Sequence, residues 1–163
     1  MQAAGGGDQI TARGDVRTIL YNTGTEKTPR PAPMRSRSDE LIARKNDRRI
    51  DLAGSVTLDD DQRHMQGDKA TFFFDTNRHI ERVESDGHII LNEPAAQRKG
   101  TGDKLTYLVT KHMIYVSGNP ATMTAPTGNV SGQRISIDTL KNKVEIVSPT
   151  APTQGTYKQP AHP

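Results

Sequence analysis

At 163 residues with 25% charged side chains and a net charge of +3, the chain has the length of one domain with a real core, and so small a net charge is not that of a wholly disordered chain. Its low apolar fraction of 32% reflects crowding of the apolar residues between about residues 39 and 147, with polar ends rich in Gly, Pro, Ser and Thr. No cysteine is present, which removes disulfides and thiolate metal sites, and there is neither a run of about 18 apolar residues nor a signal-peptide core behind Met1-Gln2-Ala3-Ala4, so the chain reads as a mature one.

In chain order, the first recognisable element is a glycine-centred phrase around Gly14, with Ile10 four residues before it and Val16 two after. Residues 22–36, with Thr28-Pro29-Arg30-Pro31-Ala32-Pro33, then break the pattern as a loop or linker does. Residues 1–36 are therefore expected to be a loosely ordered segment with a partial repeat and a linker. From residue 37 to 148 two phrases alternate. The first reads Gly67-Asp68-Lys69-Ala70-Thr71-Phe72, then Gly102-Asp103-Lys104-Leu105-Thr106-Tyr107, then Gly132-Gln133-Arg134-Ile135-Ser136-Ile137, with a fainter copy from Ser38 to Ala43. The second is centred on Gly54, Gly87 and Gly118, each preceded at four residues by Ile50, Val83 and Ile114. Residues 149–163 are expected to be a disordered tail.

Apolar residues fall at even offsets from these glycines, the period of a strand with one buried face, and the segments are rich in β-branched and aromatic residues. Asp59-Asp60-Asp61, Asp75-Thr76-Asn77, Asn92-Glu93-Pro94 and Lys141-Asn142 supply turn formers between them. A recurring strand glycine marks a bend, a bulge or the close approach of another backbone. Stacked copies predict an all-β, curved and folded-over antiparallel sheet whose inner face carries the alternate apolar side chains. Asp39 to Arg49 could be read as helix on period alone, and is taken as strand because it aligns with the repeat.

Carried by Arg49-Ile50-Asp51-Leu52-Ala53-Gly54-Ser55-Val56-Thr57-Leu58, by the phrases at Gly67 and Gly102 and by Val116-Ser117-Gly118-Asn119, the region from about 37 to 147 resembles the OstA/LptA family. These are periplasmic lipopolysaccharide-transport proteins whose relatives include the soluble part of LptC and the amino-terminal domain of LptD. The resemblance implies a V-shaped β-jelly roll, open at both ends, whose apolar lining cradles lipid A acyl chains. It also implies a periplasmic, non-enzymatic module without cofactor, whose partners are lipopolysaccharide or a related lipid and other modules of the same kind stacked end to end. Unpaired edge strands would suit such stacking, and homo-oligomers, by strand addition.

On this reading the lipid-binding candidates are Phe72, Phe74 and Tyr107, the large side chains in register, together with Leu52, Val56, Leu58, Ile89, Leu105, Val116 and Ile135. The same alternation would serve an ordinary closed core. Lys69, Lys104 and Arg134 recur at one repeat position and either meet lipid phosphates or form an exposed charge ladder with Asp68 and Asp103. Arg35, Arg37 and the run from Lys45 to Arg49 are a solvated face or a phosphate contact. His64, His79, His88, His112 and His162 lack metal-ligand spacing, and no nucleophile elbow, phosphate loop or dinucleotide fingerprint occurs, so neither a metal nor catalysis is expected. With three Phe and four Tyr, nucleic-acid binding lacks its stacking platform. The alternative is a structural β-solenoid or scaffold that polymerises without lipid.

Overall fold

The computed structural model describes residues 2–6, 8–21, 33–147 and 154–157. Among the described residues eleven strands form one antiparallel sheet: β1 (Gln2–Gly6), β2 (Gln9–Leu20), β3 (Met34–Arg44), β4 (Arg49–Asp59), β5 (His64–Phe74), β6 (Ile80–Glu93), β7 (Arg98–Leu108), β8 (Met113–Ala125), β9 (Gly128–Asp138), β10 (Lys143–Val147) and β11 (Gln154–Tyr157). From β1 to β10 each strand pairs with the next in sequence, a meander of hairpins and not the coils of a solenoid. The short β10 and β11 share one edge of β9, covering residues 134–138 and 128–131 of it in turn.

Each pairing from β2–β3 to β8–β9 slips register at one height across the sheet: between Arg13 and Val16, Ala53 and Val56, Asp86 and Ile89, and their counterparts on the other strands; β5–β6 slips a second time between Phe73 and Phe74. Gly14, Gly54 and Gly87 sit there with φ of 92°, 84° and 83°, a backbone that side chains with a Cβ rarely adopt. The space a Cβ would need at Gly54 is filled by the Asp39 side chain, and at Gly87 by Asp68. The two alternating phrases of the sequence are therefore the facing sides of one bend, the aspartate of the first lying on the glycine of the second. Gly87→Ala is expected to cost about 1–3 kcal/mol through its left-handed backbone and to displace Asp68. A fall in the urea midpoint reads that loss, and an unchanged midpoint would mean that the bend does not require glycine.

Bending folds the two halves of every strand together, and the inner faces bury one continuous apolar core: Leu52, Leu58, Met65, Phe72, Ile89, Leu91, Leu105, Ile114, Ile135 and Ile137 are no more than 2% exposed. Parity marks nearly all of these, but the core also takes in Ala12, Val16, Met34, Leu41, Met65, Ala121 and Met123. Ala12 and Val16 belong to β2, which pairs along its length with β3. Residues 9–20 thus form a strand of the sheet; residues 22–32 of the linker lie outside the described residues. In the expected tail, residues 154–157 pair with β9, and the remainder lies outside the described residues.

Candidate functional site

A meander of bent strands has all its turns on two lips that face each other across the mouth of the fold. Turns 45–48, 75–79, 109–112 and 139–142 make the first lip, and turns 60–63, 94–97 and 126–127 belong to the second. The lips meet: Tyr107 and Val109 of the first share a pocket of about 260 Å³ with Asp60 and Arg63 of the second, walled further by Ile80 and Leu140. Burial pushes the Tyr107 hydroxyl above its ordinary pKa, opposed by the charge of Arg63 and assisted by that of Asp60. No backbone hydrogen bond among the described residues crosses from lip to lip.

The second lip is pinned by charge. The Arg63 side chain is only 8% exposed and its Nε donates to Glu93 Oε2 at 3.1 Å, while Arg98 Nη2 lies 3.1 Å from the other oxygen of Glu93, itself 6% exposed. The Arg63 amide donates to Asp60 Oδ1 at 2.7 Å, so the arginine is held between two carboxylates. Buried ions of this kind persist only when so paired.

The first lip is basic. Its turns carry Lys45, Arg48, Arg78, Lys111 and Lys141 against Asp47 and Asp75, whereas those of the second carry Asp60 and Asp61 against Arg63. At its amino-terminal end lies a pocket of about 530 Å³ floored by Ile10, Ala43, Ile50 and Phe74. Ile10, Ala43 and Ile50 share the inward parity through the pairs Ile10 with Ala43 and Ala43 with Ile50, and Phe74 stands two residues after Phe72, the partner of Ile50. Ion-pair chemistry just outside it is arranged around Asp51: burial works to raise its pKa, but hydrogen bonds from Arg49 and Thr71 and the charges of Arg49 and Arg44 outweigh this and hold the carboxyl below the usual range.

Of the candidate residues, Leu52, Val56, Leu58, Phe72, Ile89, Leu105, Val116 and Ile135 face inward and are enclosed between the two halves, each at most 2% exposed. Phe74 and Tyr107 stand half-buried at the mouth. Lys69, Lys104 and Arg134 are exposed on the outer face, in a cross-strand row that runs Lys69, Asp86, Lys104, Ser117, Arg134. Asp86 stands between Lys69 and Lys104 in this row, away from the mouth, and Arg134 covers the Tyr115 ring at 4.9 Å. Arg37 pairs with Asp15 at 2.7 Å. His88 Nδ1–H donates to Asp68 Oδ2 at 2.8 Å, and that bond raises its pKa. Among the described residues no three His, Asp or Glu side chains gather as a metal site, and no helix is long and apolar enough to cross a membrane. Sequence reading had Arg48 within the basic run from Lys45 to Arg49 but missed Ile10, Arg63, Glu93 and Arg78 as residues of the mouth; the usable signal was the arginine that closes two turns of the same lip.

The family described as LptA/(LptD N-terminal domain) LPS transport protein matches residues 37–143. In structure the chain is similar to LptH of Pseudomonas aeruginosa, the LptA homologous periplasmic component of that organism's lipopolysaccharide transport device. The TM-score is 0.69 at 20% identity, over 79% of this chain and 96% of that one. No curated protein matches the chain in sequence. With the bent meander, the two lips and a family match across most of the sheet in place, this chain belongs to the LptA/LptD amino-terminal-domain family of lipopolysaccharide transport proteins.

Proposed function

We propose that the chain is a non-enzymatic, periplasmic module that holds the acyl chains of lipid A on its inner face and hands lipopolysaccharide along a row of like modules. The observation that carries this reading is the inward apolar row that runs out of the closed core to the mouth at Ile10, Ile50, Phe74 and Tyr107. A core filled by its own side chains gives acyl chains two places, the mouth itself or the space made when the halves spread. Spreading is open to this fold, since the halves meet through side chains and no backbone pairing has to break. The edges left by β1 on one side and by β10 and β11 on the other suit strand addition by a second copy or by another transport module.

A photo-crosslinking side chain placed at Phe74 or Tyr107 is expected to capture lipopolysaccharide, while one placed at Phe73 is not. Phe73 points outward between Arg82 and Arg49, whose guanidinium carbons stand 4.1 and 5.8 Å from its ring centre. Equal capture at Phe73 and Phe74, or none at any position in folded protein, would overturn the proposal in favour of a docking scaffold built on the same sheet.

A further inference from the structure

We infer that the first-lip pocket between turns 45–48 and 75–78 is a binding site for a phosphorylated lipid headgroup, with the first acyl chain of the same lipid lying on its apolar floor. The inference rests on the lipid-carrier reading above and assigns that carrier a headgroup site. At about 530 Å³ the pocket falls within the range of about 300–1,000 Å³ usual for small-molecule sites. Its two surfaces differ in chemistry. The floor of Ile10, Ala43, Ile50 and Phe74 continues the groove, and Ile10 is left 56% exposed on it. The wall carries Arg44, Lys45, Arg48, Arg49 and Arg78 against Asp8 and Asp75.

Two of the acids near this wall, Asp51 and Asp75, are already engaged, and the wall's five cations outnumber its acids. Asp51 is shared by Arg44 and Arg49. Asp75 accepts backbone N–H bonds from Asn77 at 2.8 Å and His79 at 2.9 Å, closing its own turn. Lys45, Arg48 and Arg78 have no salt bridge among the described residues. Three cations without a salt bridge above an apolar floor match an anionic amphiphile: charge-assisted bonds to phosphate oxygens at the rim, and burial of methylenes below. Arg48 and Arg78 also stand at φ of 49° and 65°, a left-handed backbone that Gly or Asn takes more readily. Asn142 holds the matching place in the last turn of the lip, at 54°. At the two turns that frame the pocket the chain carries arginine there instead, where a fork of N–H donors has something to recognise.

The test compares binding of lipid A carrying its phosphates with that of the same lipid after dephosphorylation, each by fluorescence displacement. The proteins are the wild-type chain, the double variant Arg48→Asn with Arg78→Asn, and, as a control on the same lip, Lys111→Asn with Lys141→Asn. Asparagine suits the left-handed turn, and equal urea midpoints establish that all three are folded. Wild type is expected to prefer the phosphorylated lipid by about tenfold, the equivalent of one strong charge-assisted contact. The arginine variant is expected to lose that preference while binding the dephosphorylated lipid as before, and the lysine variant to keep it. If lipid binds but wild type shows no preference, or the preference survives in the arginine variant, the headgroup site is overturned and the carrier reading stands. If wild type binds neither lipid, the carrier reading falls and takes this site with it. Broadening of the phosphorus resonance of inorganic phosphate alone, lost in the arginine variant, would in that case assign the pocket to a soluble anion and equally overturn the proposal.

Discussion

Phe72→Asp is expected to leave the protein unfolded. The ring is 0% exposed on the inner face of β5, with Ile50 and Val83 as its cross-strand neighbours. Removing a buried aromatic side chain costs about 3–5 kcal/mol by itself. An aspartate in its place adds a charge inside the apolar cluster, a further penalty of several kcal/mol, or a shifted pKa that keeps the group neutral at similar cost. Together these rival the whole stability of about 5–15 kcal/mol of an ordinary domain. Circular dichroism should show loss of the sheet signal for Phe72→Asp, whereas Phe72→Leu should remain folded with a lower urea midpoint. A folded Phe72→Asp with a native midpoint would reveal an interior already open to water, a trough in the literal sense. It follows that binding tests belong at Phe74 and Tyr107, where a change can alter lipid contact without removing the core.

Glu93→Ala is expected to destabilise the fold by about 3–5 kcal/mol, the usual cost of leaving buried partners of an ion pair uncompensated. Arg63 and Arg98 both depend on this carboxylate, and Arg63 retains only Asp60, whose Oδ2 lies 3.7 Å from Nη1. The effect should be visible as a fall in urea midpoint, with most of it recovered when Arg63→Met and Arg98→Met are combined with Glu93→Met, since an apolar trio of similar size leaves neither arginine orphaned. A loss below about 1 kcal/mol in the single variant would place the network among surface ion pairs and remove its role in fixing the second lip.

Much of the architecture could be read from residues. The even spacing around Gly54 and Gly87 reports a one-sided strand whatever its partners, and a glycine that recurs at one height has few causes other than a bend. Phe72 shows where such reading stops, because a lined groove and a closed core impose the same parity on β5. Which side chains are enclosed depends on how far the halves close, and that is set where the lips face each other, as at the pocket shared by Tyr107 and Arg63, 44 residues apart and without a local pattern. β2 was hidden by the proline-rich segment behind it; only its pairing with β3 puts Ala12 and Val16 in the core. Arg48 and Arg78 were visible as charges, but their place above Ile10 and Phe74 required knowing that alternate turns share a lip.

Because β1 to β10 each pair with the next strand in sequence, the sheet is close to a one-dimensional stack in which every hairpin carries its own share of bend, core and lip. Gaining or losing one hairpin between β5 and β8 would change the length of the groove by about 9–10 Å, two strand spacings, and leave its cross-section and the remaining connections as they were. Reach along the groove is therefore a property this architecture can vary by duplication, while width, set by the bend and the lips, stays fixed.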